Sequence, residues 1–130
     1  MLASRLEEEV ACMTSFASSK VWYIDSGASW HMTGFRECFS KYREEKMNFQ
    51  ITTGNKAKCT PVGKGTIAFQ TKSRERFHAT NVLHVPGLGM NLLSMSQLQG
   101  KGYDVYFIKA KAYVKHPSWK KKVHVRIKSN

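Results

Sequence analysis

The sequence predicts a mostly β fold, a small closed or sandwiched β-structure with one short helix. Three observations carry this. Short apolar or alternating runs recur along the chain, Gly, Pro and Asn break them up, and one run alone has helix-like start and stop residues. With 130 residues, 42% of them hydrophobic, the chain is long enough for one domain with its own core.

Residues 1–19 hold Glu7-Glu8-Glu9 and the polar stretch from Ser15 to Ser19, and they read as a linker or short helix outside the core. Val21–Asp25 is a continuous apolar run ending in a turn, which predicts a buried strand. His31-Met32-Thr33 predicts a second short strand, stopped by Gly34. Phe35 and Phe39 are four apart and suit one helical turn. Asn48 to Thr53, then Gly54-Asn55, then Lys56 to Val62 predict a hairpin whose tip residues tolerate positive φ. Thr66 to Gln70 alternates like a strand, Lys72 to Glu75 is a polar turn, and Phe77 to Val85 is a strand closed by Pro86-Gly87. Asn91 to Leu98 predicts the helix, with Asn91 as its N-cap and Gly100 and Gly102 as its stop. Tyr103 to Ile108 and Ala112 to Val114 predict a last hairpin. Residues 116–130, with Lys120-Lys121-Lys122, read as a basic tail, which leaves residues 20–115 as the folded domain.

The formal net charge is +12. Such a surface suits weak contact with nucleic acid, or it is simply solvated lysine that keeps a small domain soluble. The second is favoured, because no nucleic-acid motif or aromatic-basic interleaving accompanies the charge. Cys12, Cys38 and Cys59 are odd in number and contain no C-x-x-C, so neither a disulfide framework nor a zinc site is indicated. The five histidines show no ligand spacing, and no metal or cofactor is expected. A reducing compartment, the cytoplasm, fits this cysteine usage. No run of about 18 apolar residues is present, and the N-terminal residues do not read as a secretion signal, so no membrane partner is expected.

The chemistry concentrates at Asp25-Ser26-Gly27-Ala28-Ser29, at the end of the apolar run. An aspartate at the tip of a buried strand, followed by a hydroxyl and a glycine, can aim a carboxylate at a water molecule. Peptide hydrolysis by carboxylates needs two of them about 3 Å apart sharing one proton, and such a pair titrates as a unit. The chain holds two aspartates, and Asp104 lies in an ordinary strand pattern. One such element per chain then demands a symmetric homodimer. In that role Gly27 lets the backbone turn beside the carboxylate, Ser26 offers a hydroxyl across the dimer, and Ala28 packs beneath the site. Gly27-x-Ser29-x-His31 is not the Gly-x-Ser-x-Gly nucleophile elbow. Taken alone, the tripeptide is also an ordinary turn after a strand.

Trp22-Tyr23-Ile24-Asp25-Ser26-Gly27-Ala28-Ser29-Trp30-His31-Met32-Thr33-Gly34 is followed by Asn81 to Leu88, Asn91 to Leu98 and Gly102 to Phe107. In order and spacing these segments resemble the protease region of copia-type LTR retrotransposon polyproteins, over roughly residues 20–115. The resemblance implies a retropepsin-like fold with one lobe per chain. It implies an aspartic endopeptidase that works as a homodimer on its own Gag-Pol polyprotein, in the cytoplasm or in virus-like particles. Asp25 falls on the catalytic aspartate, with Ser26 and Gly27 on the next two motif positions. Leu92-Leu93-Ser94 falls on the apolar-apolar-Gly element that packs beside the catalytic loop, with Ser94 in place of the glycine. The resemblance also implies a mobile flap over the substrate. Its tip is expected at Thr53-Gly54-Asn55, and the rival placement is Gly63-Lys64-Gly65. Trp30 is bulkier than the pattern suggests. The chain ends, which retroviral proteases use as a shared dimer sheet, are here acidic and basic. The rival function is a catalytically inactive binding or assembly module on the same fold.

Overall fold

The computed structural model describes residues 2–6, 10–12, 22–52, 56–71, 76–88, 91–108, 111–118 and 123–129. The strands are β1 (Leu2–Leu6), β2 (Val10–Cys12), β3 (Trp22–Asp25), β4 (Met32–Thr33), β5 (Lys41–Glu44), β6 (Ile51–Thr52), β7 (Lys58–Cys59), β8 (Gly63–Thr71), β9 (Arg76–His84), β10 (Asn91–Ser94), β11 (Asp104–Ile108), β12 (Lys111–Lys115) and β13 (Val123–Ser129). A helix, α1, spans Met95–Gly100, and a 3-10 turn covers Arg36–Cys38. The fold is mostly β with one short helix, as the punctuation of the sequence predicts.

Among the described residues, 11 strands form one sheet in the order β11-β12-β13-β1-β3-β10-β4-β9-β8-β2, with β5 also on β8. β6 and β7 pair only with each other. The expected closed barrel or sandwich is not formed by these strands. Closure needs a hydrogen-bonded pair joining the two ends of the ladder, and no described pair joins β11 to β2. The nine-residue β8 instead divides its outer edge, with β5 on Gly63–Thr66 and β2 on Phe69–Thr71.

β3 sits near the middle of this path. Trp22 and Ile24 are buried, and Trp22 meets Phe69 edge-on with ring centroids 5.1 Å apart. Phe69 in turn stacks on Phe77 at 4.8 Å. These aromatics, with Ile67, Val82, Leu93 and Leu98, make the main core. β10 runs parallel to β3 with Leu93 opposite Ile24, and antiparallel to β4 with Leu92 opposite Met32.

That pairing corrects the helix expected over Asn91 to Leu98. Asn91–Ser94 is a strand between two others, and the helix begins only at Met95. Ladder hydrogen bonds and burial on both sides outweigh the helix propensity of a segment too short to hold a helix alone. The N-cap is Ser94, whose Oγ accepts from the Gln97 amide at 3.2 Å. Gly102, with φ +91°, lets the chain reverse after the helix.

The structure also differs at the ends of the chain. Leu2–Leu6 and Val10–Cys12 are strands rather than linker, and Val123–Ser129 is a strand rather than tail. β1 lies between β13 and β3. In sequence Val123, Val125 and Ile127 alternate with His124, Arg126 and Lys128. That is a period-two strand pattern masked by basic composition. The Glu7–Glu9 and Lys120–Lys122 runs lie outside the described residues, as does the expected turn at 72–75. β5 had no clear signal in the sequence.

The rival flap tip is placed firmly elsewhere. Gly63-Lys64-Gly65 lies inside β8 and pairs with both β5 and β9. The glycines serve close approach: a Cβ on Gly65 would run into the Lys41 carbonyl oxygen, and one on Gly63 into the Tyr42 hydroxyl. The hairpin that pairs with no other described strand is β6–β7. Its expected tip, Thr53-Gly54-Asn55, lies outside the described residues.

Candidate active site

Asp25 ends β3 and is 2% exposed. Its Oδ1 accepts from the Gly27 amide at 2.8 Å, and its backbone carbonyl accepts from the Ala28 amide at 3.4 Å. The chain therefore turns back over its own carboxylate. Ser26, Gly27 and Ser29 are exposed, while Ala28 and Trp30 are half-buried. The turn sets a hydroxyl and a bare backbone in solvent directly above a sheltered carboxylate.

β10 supports this turn from beneath. Ser94 stands opposite Asp25 in the parallel ladder and is fully buried. Its Oγ donates to the Ala28 carbonyl at 2.7 Å, and its amide donates to His31 Nδ1 at 2.8 Å. Gln97 Nε2, one turn into α1, donates to the Ser29 carbonyl at 3.0 Å. The hydroxyl of Ser94 thus makes a bond that a glycine could not, and its small size still fits the packed position.

The exit of the loop is anchored as firmly. Thr33 Oγ1 donates to Asn91 Oδ1 at 2.8 Å and accepts from the Phe35 amide at 3.1 Å. The His31 and Thr33 carbonyls accept from the Leu83 and Val85 amides, each at 2.8 Å. His31 is 3% exposed, and burial pushes its pKa from 6.5 down to about 4. The ring is therefore neutral, with Nδ1 free to accept.

A second apolar cluster, separate from the main core, forms around Met32, Leu83 and Val85. Ala28 and Trp30 from the loop, and Met47, Ile51 and Cys59 from the β6–β7 region, pack against it. Trp30 stacks on Phe49 with centroids 6.1 Å apart and planes at 23°. The bulky Trp30 thus reaches the hairpin that carries the expected flap tip. Asp104 is exposed on β11, and three strands separate β11 from β3 along the ladder. Among the described residues no three His, Cys, Asp or Glu side chains converge as a metal site, and no helix is long and apolar enough to cross a membrane.

The family described as "Pol polyprotein, beta-barrel domain" matches residues 22–103. This chain belongs to the Pol polyprotein beta-barrel domain family. The chain is also similar to the "Retrovirus-related Pol polyprotein from transposon TNT 1-94" of Nicotiana tabacum. The two are 32% identical over 106 residues, covering 82% of this chain and 8% of that polyprotein. The chain thus spans less than a tenth of that relative's length. No solved structure matches it.

In this Pol beta-barrel domain the family match runs from the first residue of β3 to the residue before β11. It contains Asp25, the β6–β7 hairpin and Ser94, and it leaves out β1, β2, β11, β12 and β13. Of the residues singled out in the sequence, the fold gathers Asp25, Ser26, Gly27, Ala28, Leu92, Leu93 and Ser94 at one place. Sequence reasoning missed His31, Thr33 and Phe49, and it gave Asn91 the wrong task. The available signal was His31 and Thr33 at strand spacing on either side of Met32: two polar residues in a buried strand need partners.

Proposed function

We propose that the chain is the aspartic endopeptidase of a copia-type retrotransposon Pol polyprotein, a retropepsin-like lobe that is active as a homodimer. One observation carries this reading: Asp25 ends a buried strand, is held by the Gly27 amide, and is backed by Ser94 on a parallel strand. Asp104 is exposed and distant along the sheet, so the second carboxylate is Asp25 of a second copy. The ionised member of the pair takes a proton from water, whose oxygen attacks the peptide carbonyl carbon. The protonated member donates to the carbonyl oxygen. Collapse of the tetrahedral intermediate then breaks the C–N bond and delivers a proton to the leaving amine. Ser26, exposed beside Asp25, bonds across to the partner's loop. The β6–β7 hairpin, with its tip expected at Thr53, Gly54 and Asn55, closes on an extended peptide of the element's own polyprotein. No cofactor takes part, and the setting is the cytoplasm or a virus-like particle.

The test compares wild type with Asp25→Asn by sedimentation at several concentrations, assaying peptide cleavage at mildly acidic pH on the same samples. Activity that follows the dimer fraction and vanishes in a folded Asn variant supports the reading. Full cleavage by the Asn variant sinks it.

The charge of +12 is compatible with a second reading, a non-catalytic assembly module that contacts nucleic acid weakly. RNA affinity that falls steeply with salt, with no dimer at any concentration, would favour it over the protease.

A further inference from the structure

His31 takes no part in the hydrolysis above, yet it is among the most buried polar residues beside Asp25, at 3% exposure. β10 lies between β3 and β4, and on the β4 side its ladder has one pair, Leu92 with Met32. Ser94 lies two residues on, so its amide points to the same side. The ladder has ended there, and a buried backbone N–H needs an acceptor. His31 Nδ1 supplies it at 2.8 Å. The imidazole stands where a strand carbonyl would otherwise be.

The same Ser94 holds the Ala28 carbonyl through its hydroxyl and faces Asp25 in the ladder. His31 in turn leaves the loop with its own carbonyl bonded to the Leu83 amide. Asp25, Gly27, Ala28, Ser94 and His31 thus form one linked set of hydrogen bonds around the turn. Its one side-chain nitrogen is an acceptor only while that nitrogen carries no proton.

We propose that His31 is a positioning residue for the Asp25 loop: as the neutral Nε2–H tautomer it fixes the Ser94 amide and, through Ser94, the placement of the Asp25–Ala28 turn. Its effect on catalysis rests on the protease reading, whereas its effect on the loop does not. What the site requires of His31 is an acceptor, not only ring volume. His31→Asn places Oδ1 close to where Nδ1 sits and keeps the acceptor, whereas His31→Phe keeps a ring and removes it.

Two measurements test this. In the cleavage assay, His31→Phe should lose about 10-fold or more in kcat with KM little changed, as expected for a displaced catalytic group, while His31→Asn stays near wild type. Circular dichroism and sedimentation confirm that both variants are folded and associate like wild type. Separately, nitrogen NMR on the Asp25→Asn protein should show His31 as the Nε2–H tautomer. In that background, adding His31→Phe should speed exchange of the Ser94 and Gly27 amides about 10-fold or more, with His31→Asn near the parent. An Nδ1–H tautomer overturns the inference, even if the Phe variant does not fold. So does unchanged amide exchange in the Phe variant. A wild-type protein that never cleaves peptide overturns the protease reading and leaves the His31 inference to be decided by the amides.

Discussion

Ser94 lies across the parallel β3–β10 ladder from Asp25, and its hydroxyl donates to the Ala28 carbonyl at 2.7 Å. The same oxygen caps α1 by accepting from the Gln97 amide. One atom therefore joins the loop to the helix. Ser94→Ala should cost about 1–3 kcal/mol, because it removes a helix cap and a buried hydrogen bond together. Urea unfolding of the two proteins measures this directly. An unchanged midpoint would show that the hydroxyl holds nothing.

Gly65 and Gly87 should respond differently to substitution. A Cβ on Gly65 meets the Lys41 carbonyl oxygen and lies 3.0 Å from Phe39 Cδ1. Backbone cannot swing aside, so Gly65→Ala should cost about 1–3 kcal/mol or more and loosen β5. Gly87 has φ +86°, and a Cβ there would meet nothing within 4 Å. Gly87→Ala should cost only about 1 kcal/mol, from backbone strain alone. Thermal midpoints of the pair rank the two effects.

Acid should weaken the fold through His31. Its native pKa is about 4 against 6.5 in the unfolded chain, because burial disfavours the imidazolium. Between these values the unfolded chain binds a proton that the native protein refuses. The contribution is fully present above about pH 6.5 and is lost as pH falls toward 4, by roughly 3 kcal/mol. Unfolding free energies measured from pH 7 to pH 4 should decline less steeply for His31→Asn than for wild type.

Trp30 and Phe49 should be energetically coupled. Their stacked rings join the Asp25 loop to the segment entering β6, and Phe49 is 36% exposed. A double-mutant cycle over Trp30→Ala and Phe49→Ala should give a coupling of about 0.5–1.5 kcal/mol. Either single change should also speed tryptic cutting at Lys56 and Lys58, because this cluster is what ties the hairpin to the body.

Much of the fold could be read from local pattern. The run Val21–Asp25, the strand before Pro86-Gly87 and the last hairpin all carry periodicity and turn residues that act over a few positions. Asn91–Ser94 could not be read that way. Leu92-Leu93 suits a helix or a buried strand equally, and the choice is made by β3, nearly seventy residues earlier. The chain ends were not legible for a different reason: basic composition masks the alternation in Val123–Ser129. At the site, the carboxylate and its glycine were legible because both act locally. His31 was not, since its meaning depends on which amide is left without a strand partner 63 residues later.

β1 is paired along both edges within its own chain, with β13 from Leu2 to Leu6 and with β3 from Ala3 to Arg5. A sheet shared between two copies through β1 therefore requires these bonds to open first. Exchanging β1 between copies would restore the same pairs in each, so little free energy separates the two arrangements while a real barrier divides them. Association by that route would be slow and dependent on sample history: a diluted dimer and a concentrated monomer would converge only after long incubation. In the proposed homodimer, timing as much as affinity would then govern when one Asp25 meets another.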